Sequence, residues 1–105
     1  MIAVFTKLPI KPEFHDEYLK HLKSVIEKFD IRKEKGCTEV KILSPKSLPH
    51  VGDNNNFVVI TGWEDMDSFV SFTKSESFKK SHSDIPSKDW FLSKPEVEVY
   101  ETIEV

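Results

Sequence analysis

One histidine of the chain lies where its side chain could do chemistry. His82 ends the segment SFVSFTKSESFKKSH (68–82), follows two lysines and comes four residues after Phe78. Residues four apart share one face of a helix, so a ring that faces the interior with Phe78 could bind iron through a neutral imidazole nitrogen. The alternative is a histidine that caps backbone carbonyls at the end of the helix, for about 0.3 to 1 kcal/mol. The spacing alone favours the capping role.

Other reactive side chains do not indicate a second site. His15 and His21 are six residues apart, which does not place them on one helical face, so they are predicted to be exposed and not to share a metal. The single cysteine, Cys37, is predicted to be a small buried residue, because no neighbouring histidine or helix end would lower its pKa. The sequence contains no glycine-rich phosphate loop, zinc-ligand spacing or hydrolase nucleophile motif.

The two tryptophans have mainly structural interpretations. Trp63 closes an apolar segment and is predicted to lie in the core or at the rim of a pocket. Trp90 and Phe91, in the segment SDIPSKDWFL, could anchor a loop or form a flap that closes over a ligand. Anchoring is the favoured interpretation.

Four strands are predicted around these side chains. Apolar residues alternate or run continuously in each of them, as is typical of β-structure. They are predicted at residues 1–8, 37–43, 56–64 and 97–105.

Helices are predicted to follow the first and third strands. The first covers residues 11–29, where apolar residues recur at helical spacing, and Gly36 is its predicted C-terminal stop. The second is capped by Asp65 or Asp67 and restarts at Ser75 as a short second segment.

The resulting order, β-α-β-β-α-β, is typical of an α+β ferredoxin-like fold with an antiparallel sheet and both helices on one face. Since the strand at 56–64 is apolar on both faces, the uncovered face is predicted to be buried against a second copy of the chain. We therefore expect a homodimer whose two sheets form an α+β barrel.

Composition limits the possible partners and location. The chain has 105 residues, 38% of them hydrophobic, with eight phenylalanines that supply a core for one domain over residues 1–105. Charged residues make up 31%, yet the net charge is −3 and no basic block occurs, which argues against nucleic acid as a partner. Neither a signal peptide nor a membrane span is predicted, and a single cysteine favours a reducing compartment, so the predicted location is cytoplasmic.

Three segments carry a resemblance to a known family. They are KGC at 35–37, FVVITGWED at 57–65 and FxxSESFKxSH at 72–82. Over essentially its whole length, the chain resembles the antibiotic biosynthesis monooxygenase family of small dimeric α+β barrels. The pattern is most similar to the family's bacterial haem-degrading branch. In that branch an Asn on the first strand, a Trp in the second helix and a His at the end of that helix surround the haem.

The resemblance implies roles for particular residues. His82 matches the histidine and would be the axial ligand of the haem iron. Thr6 stands where the Asn is expected and offers one short hydroxyl in place of two amide donors. Phe72 stands where the Trp is expected and keeps an aromatic wall without the indole N–H. Together with Phe78 and Trp63, these side chains would line the ligand pocket.

Two classes of function follow. The first is an oxygenase, which either binds and degrades haem through His82 or oxidises a small aromatic or quinol substrate without a bound cofactor. The second is a module that binds haem or another small hydrophobic ligand without chemistry, as the replacements Thr6 and Phe72 allow. The sequence favours the oxygenase.

Overall fold

A computed structural model describes residues 1–83 and 87–105 of the chain. The four strands are β1 Ile2–Pro9, β2 Cys37–Leu43, β3 Asn56–Trp63 and β4 Glu96–Glu101. The three α-helices are α1 His15–Phe29, α2 Met66–Thr73 and α3 Glu76–Ser83. Short 3-10 helices occur at Pro12–Phe14, Ile31–Lys33 and Lys88–Trp90.

The strands form one antiparallel sheet in the order β2-β3-β1-β4. The central strand β1 pairs with β3, where Thr6 lies opposite Val59, and with β4, where Thr6 lies opposite Val97. The order of elements and the antiparallel pairing confirm the predicted ferredoxin-like α+β fold.

The helices pack on one face of the sheet through two core clusters. The Trp63 cluster consists of Val4, Ile26, Ile31, Trp63 and Phe72. The Tyr18 cluster consists of Leu8, Ile10, Tyr18, Leu22 and Phe57. Both clusters join alternate residues of β1 and β3 to α1, as the predicted alternation requires.

The opposite face of the sheet is apolar only at its centre. Phe5, Val58 and Ile60 lie there half-buried, and Tyr100 of β4 packs edge-on against Phe5 with the ring centroids 5.4 Å apart. Leu43, at the end of β2, is exposed on the same face. The prediction of an apolar uncovered face therefore holds for the two central strands.

Ion pairs flank that apolar centre. Lys7 Nζ lies 2.9 Å from Glu98, and Lys41 Nζ lies 3.4 Å from Glu39. The hydrogen bond with Lys7 holds the pKa of the Glu98 carboxyl below its usual range. Charged pairs at exposed strand positions contribute little to stability, so the edges of this face are ordinary solvated surface in the single chain.

The end of α1 differs from the prediction. Asp30, with φ of 44°, adopts the left-handed conformation directly after Phe29 and ends the helix there. Gly36, with φ of 85°, lies in the turn before β2, and a side chain at this position would overlap Ser68 of α2. The prediction that Gly36 ends the helix was wrong, because this glycine serves the close approach of the turn to α2.

Strand β4 is shorter than the predicted 97–105. Its last pair is Glu101 with Ile2, and the next contact is a 2.8 Å hydrogen bond from Thr102 N to Met1 O. Because β4 lies at the edge of the sheet, it has no other neighbour to pair with beyond the start of β1. Residues 102–105 alternate in hydrophobicity but have no neighbouring strand with which to pair, so they do not extend β4.

Among the helices at positions 1–83 and 87–105, none has the length and apolar character that crossing a membrane requires.

Candidate functional site

Four of the predicted site residues touch one another in a continuous row of rings. Phe72 stacks on Trp63 with a centroid distance of 5.0 Å, and Phe78 meets Phe72 edge-on at 5.4 Å. The imidazole of His82 then stacks on Phe78 at 3.9 Å. This aromatic row, Trp63–Phe72–Phe78–His82, runs from the core to the surface.

The inner end of the aromatic row is part of the hydrophobic core. Trp63 has 0% of its surface exposed, and its indole Nε1 donates a 2.9 Å hydrogen bond to the buried Thr61 hydroxyl. Phe72 is 7% exposed and belongs to the same cluster. Trp63 is therefore a core residue and not the rim of a pocket, and the ring of Phe72 faces the interior.

The outer end of the row is exposed, and there the orientation of His82 differs from the expectation of an inward-facing ring. The side chain leans back along α3, as helical side chains do, and places Nδ1 2.8 Å from the Phe78 carbonyl oxygen. A carbonyl only accepts, so the Nδ1 proton is assigned to this bond and the lone pair to Nε2. Within the described residues Nε2 has no hydrogen-bond partner.

Two polar side chains set the geometry of the helices that carry the row. The carboxylate of Asp65 accepts a 2.8 Å bond from Ser68 N at the start of α2, and this bond lowers the pKa of Asp65. Ser75 donates from its hydroxyl to Phe72 O at 2.7 Å and accepts from Phe78 N at 3.1 Å. Both the predicted Asp65 cap and the predicted restart at Ser75 are confirmed. The restart turns Phe78 edge-on to Phe72.

The fifth predicted residue, Thr6, lies apart from the row on the sheet. It faces the helices from β1 between Val4, which belongs to the Trp63 cluster, and Leu8, which belongs to the Tyr18 cluster. Its neighbour on β4, Val97, is 59% exposed. In the described part of the chain no side-chain hydrogen bond joins Thr6 to a member of the row.

Neither of two surface cavities is lined by a residue of the aromatic row. An open cleft of about 430 Å³ is lined by Lys28, Phe29, Lys80 and Ser83. A polar hollow of about 150 Å³ is lined by Lys7, Pro9, Asn56, Ser93, Lys94 and Glu96. Neither is the ligand pocket expected from the family resemblance, which would be lined by Thr6, Trp63, Phe72, Phe78 and His82. The two lysines of the cleft stand in the last turns of α1 and α3, where cations complement the helix dipoles.

A second group of rings surrounds Tyr18. His15 lies edge-on to Phe57 at 5.3 Å and places Nε2 2.9 Å from Ile10 O, and His21 is tilted against Tyr18 at 5.8 Å. Both histidines are half-buried. The prediction that they are exposed was wrong, because Ile10 and Phe57 contact His15 and the ring of Tyr18 contacts His21. Burial raises the pKa of Tyr18 to about 12.

Trp90 and Phe91 close this second group. Trp90 stacks on Phe14 at 5.1 Å and 9°, and Phe91 meets Tyr18 edge-on at 5.7 Å. Lys11 N also donates to Trp90 O at 2.8 Å. The predicted anchoring is confirmed. The remainder of the predicted flap includes residues 84–86, which lie outside the described residues.

Cys37 and the metal-binding side chains give no further site. The thiol of Cys37 is half-buried, and burial raises its pKa, in agreement with a structural role. Within 1–83 and 87–105 no three side chains of His, Cys, Asp or Glu converge as a metal site would require.

The sequence analysis missed Ser81. This serine is buried, and its hydroxyl donates to Phe78 O at 3.0 Å. Ser81 Oγ also lies 3.2 Å from His82 Nδ1. Its position directly before His82 was the only available signal, and a serine near a helix end has too many ordinary roles for that signal to be specific.

The sequence profile of one protein family matches most of the chain. The family is described as antibiotic biosynthesis monooxygenase, and the match covers residues 1–84. The chain belongs to this family. The match includes all of β1, β2 and β3 and the complete aromatic row, and it confirms the family that the motifs indicate without distinguishing its haem-degrading branch.

Several solved structures share the fold at low sequence identity. A candidate antibiotic biosynthesis monooxygenase from Nitrosomonas europaea is 13% identical with a TM-score of 0.73, over 99% of this chain and 100% of that chain. A conserved protein from Methanosarcina mazei is 22% identical with a TM-score of 0.69, over 97% and 92%. A protein from Mycobacterium tuberculosis is 12% identical with a TM-score of 0.70, over 99% and 96%. At such identities the similarity concerns the fold alone.

No protein with a curated description matches the chain at a significant level.

Proposed function

We propose that the chain is a monooxygenase that oxidises a small, flat aromatic substrate at the outer end of the aromatic row. Membership of the family supports an oxygenase. The observation that carries the position is the stacked pair of Phe78 and His82, whose rings lie 3.9 Å apart at the surface with the Nε2 lone pair unengaged by any described residue. An imidazole base beside an aromatic face suits a ligand with a flat ring and a phenolic hydroxyl.

His82 would be the general base. Nε2 would accept the proton of the phenolic hydroxyl, and the phenolate formed is a better electron donor to oxygen than the phenol. In the overall reaction a ring C–H and the hydroxyl become the two carbonyls of a quinone. One atom of O₂ enters the ring, and the other leaves as water with two hydrogens of the substrate. The substrate supplies all the electrons, so the reaction balances without a separate reductant.

Haem bound through His82 is the second candidate, and the side chains fit it in part. Nε2 of His82 could bind the haem iron, and the exposed Lys79 and Lys80 of the same helix could pair with haem carboxylates. Bound iron would supply activation of oxygen. The rings of Phe72 and Trp63, however, stack directly on each other at 5.0 Å and so do not wall an enclosed haem pocket.

A homodimer is part of the proposal. The half-buried Phe5, Val58 and Ile60, with Tyr100, would form the centre of an interface above the roughly 1,000 Å² expected of a biological contact. Sedimentation equilibrium at micromolar concentration should give twice the chain mass, and a monomer would remove this part of the proposal. The single cysteine supports a reducing compartment such as the cytoplasm.

The function is tested by oxygen consumption with a panel of polycyclic phenols that carry one hydroxyl and an unsubstituted para ring position. We expect one or more to be converted to the quinone with one O₂ per turnover and one labelled atom from ¹⁸O₂ in the product. His82→Gln should lower the rate by about 10² to 10⁴, the usual contribution of a general base. His50→Gln, at an exposed loop histidine outside the row, is the matched control and should leave the rate unchanged.

A parallel haemin titration separates the two candidates. A stoichiometric histidine-ligated visible spectrum that persists in His50→Gln and disappears in His82→Ala would replace the phenol proposal with haem binding. If ligands bind but no oxygen is consumed with either class, the chain is a binding module and the proposed oxygenase activity is wrong.

A further inference from the structure

Three polar atoms meet at the last turn of α3. The Phe78 carbonyl oxygen lies 3.0 Å from Ser81 Oγ and 2.8 Å from His82 Nδ1, and Ser81 Oγ lies 3.2 Å from His82 Nδ1. Ser81 is 9% exposed, so its hydroxyl is largely shielded from competing water. These three atoms form a small closed network directly behind the exposed ring of His82.

The network allows one arrangement of protons. If Ser81 donated to an unprotonated Nδ1, the lone pair of that nitrogen would face the Phe78 carbonyl oxygen at 2.8 Å, and the contact would be repulsive. If Nδ1 carries the proton, it can donate to Phe78 O and to Ser81 Oγ, while Ser81 donates to Phe78 O. All three contacts are then favourable. The lone pair of a neutral ring is consequently on Nε2.

We propose that Ser81 is a positioning residue, which with the Phe78 carbonyl holds the neutral ring of His82 in the Nδ1–H tautomer and directs the Nε2 lone pair outward. Its significance for catalysis depends on the proposed function, since only Nε2 is placed to accept a proton from a substrate. The tautomer itself is independent of any substrate and can be measured without one.

The same helix supplies a matched control. Ser83 also donates from its hydroxyl to the carbonyl three residues before it, Lys80 O, at 2.8 Å. This bond has the same chemistry as that of Ser81, but in the described contacts it does not involve His82. A variant at Ser83 therefore reports what the loss of a serine hydroxyl at the end of α3 does by itself.

The experiment is ¹⁵N NMR of the two ring nitrogens of His82, at a pH high enough for the ring to be neutral. Wild type should show a protonated Nδ1 and an unprotonated Nε2. Ser81→Ala should raise the share of the Nε2–H tautomer by about fivefold, the factor that corresponds to one ordinary hydrogen bond. Ser81→Thr, which restores a hydroxyl, should return it toward wild type, and Ser83→Ala should leave it unchanged.

Three outcomes would overturn the proposal. They are an Nε2–H tautomer in wild type, no change in Ser81→Ala, and an equal change in Ser83→Ala. A confirmed tautomer effect with no oxidation of any phenol would leave the positioning role in place and refute only the proposed function. If the oxidation is found, Ser81→Ala should lower kcat more than it raises KM, because it alters the base and not the surface against which the substrate stacks.

Discussion

The two aromatic groups on the helix-facing side of the sheet use histidine in opposite ways. In the Tyr18 group, Nε2 of His15 is tied to Ile10 O, its ring lies edge-on to Phe57, and Trp90 and Phe91 cover the neighbouring rings. In the aromatic row, Nδ1 of His82 is tied to Phe78 O, and the ring lies flat and exposed. The two histidines therefore differ in which ring nitrogen is hydrogen-bonded and in whether other rings cover the site. His15 serves packing, whereas His82 is available to a ligand.

The largest effect that tests this contrast is expected from Phe72→Ala, in the middle of the row. Because Phe72 is buried against Trp63 and Phe78, its truncation should cost about 3 to 5 kcal/mol of unfolding free energy, measured by urea denaturation. Phe69→Ala removes a half-buried ring that is tilted against Trp63, and it should cost clearly less. Equal losses would mean that the row is not the packed inner element described above.

The Tyr18 group should make the stability of the protein depend on pH in the alkaline range. The pKa of Tyr18 is about 12 in the folded chain and about 10 when unfolded, so the folded state holds the phenolic proton more tightly. The contribution of Tyr18 to the unfolding free energy is therefore fully present below pH 10. It is lost as the pH rises toward 12, by up to about 2 to 3 kcal/mol. Denaturation at a series of pH values should show this loss in wild type and a smaller one in Tyr18→Phe. Identical profiles would contradict the effect of burial on Tyr18.

Variants of His15 and His82 should differ in their effect on the unfolding free energy. His15→Ala removes a partly buried hydrogen bond and a packed ring, and we expect a loss of about 1 to 2 kcal/mol in urea denaturation. His82→Gln should change the unfolding free energy by less than about 0.5 kcal/mol, because the side chain is exposed. The reverse order of the two effects would remove the distinction between the groups.

The smallest effect is expected at the start of α2. The pKa of Asp65 is lowered because its carboxylate accepts from Ser68 N, so the stability that the charged cap adds is present above the ordinary pKa and is lost as the pH falls through the lowered one. Thermal unfolding between pH 2 and 6 should show this acid dependence weaken in Asp65→Asn, which can still cap. Asp65→Ala should lower the unfolding temperature at all pH values.

The sequence predicts the sheet and its faces well because alternation is a local property. Val4 and Leu8 are buried, while Phe5 lies on the other side, as the period of two requires. Local polar signals were equally reliable at Asp65 and Ser75, where the donor and the acceptor are close in sequence.

The errors concern features that depend on distant parts of the chain. Gly36 is required by the approach of Ser68, and His15 is half-buried because Phe57 of β3 packs against it. The bond from His82 to the Phe78 carbonyl agrees with the capping role that the spacing favours, and not with the inward-facing ring that the family resemblance implies. Helical spacing specifies its face, but the choice between interior packing and a bond to the Phe78 carbonyl is a matter of one side-chain rotamer.

The pairing of β1 with β4 has a consequence for how the chain folds. Ile2 lies opposite Glu101, and Thr102 N bonds to Met1 O, so a central strand finds one of its two partners only at the other end of the described chain. Closing so long a loop carries an entropic cost before its contacts form, and sheets with such distant pairs fold slowly. The β1–β3 pair involves a shorter separation, so we expect it to assemble with α1 before β4 joins the sheet.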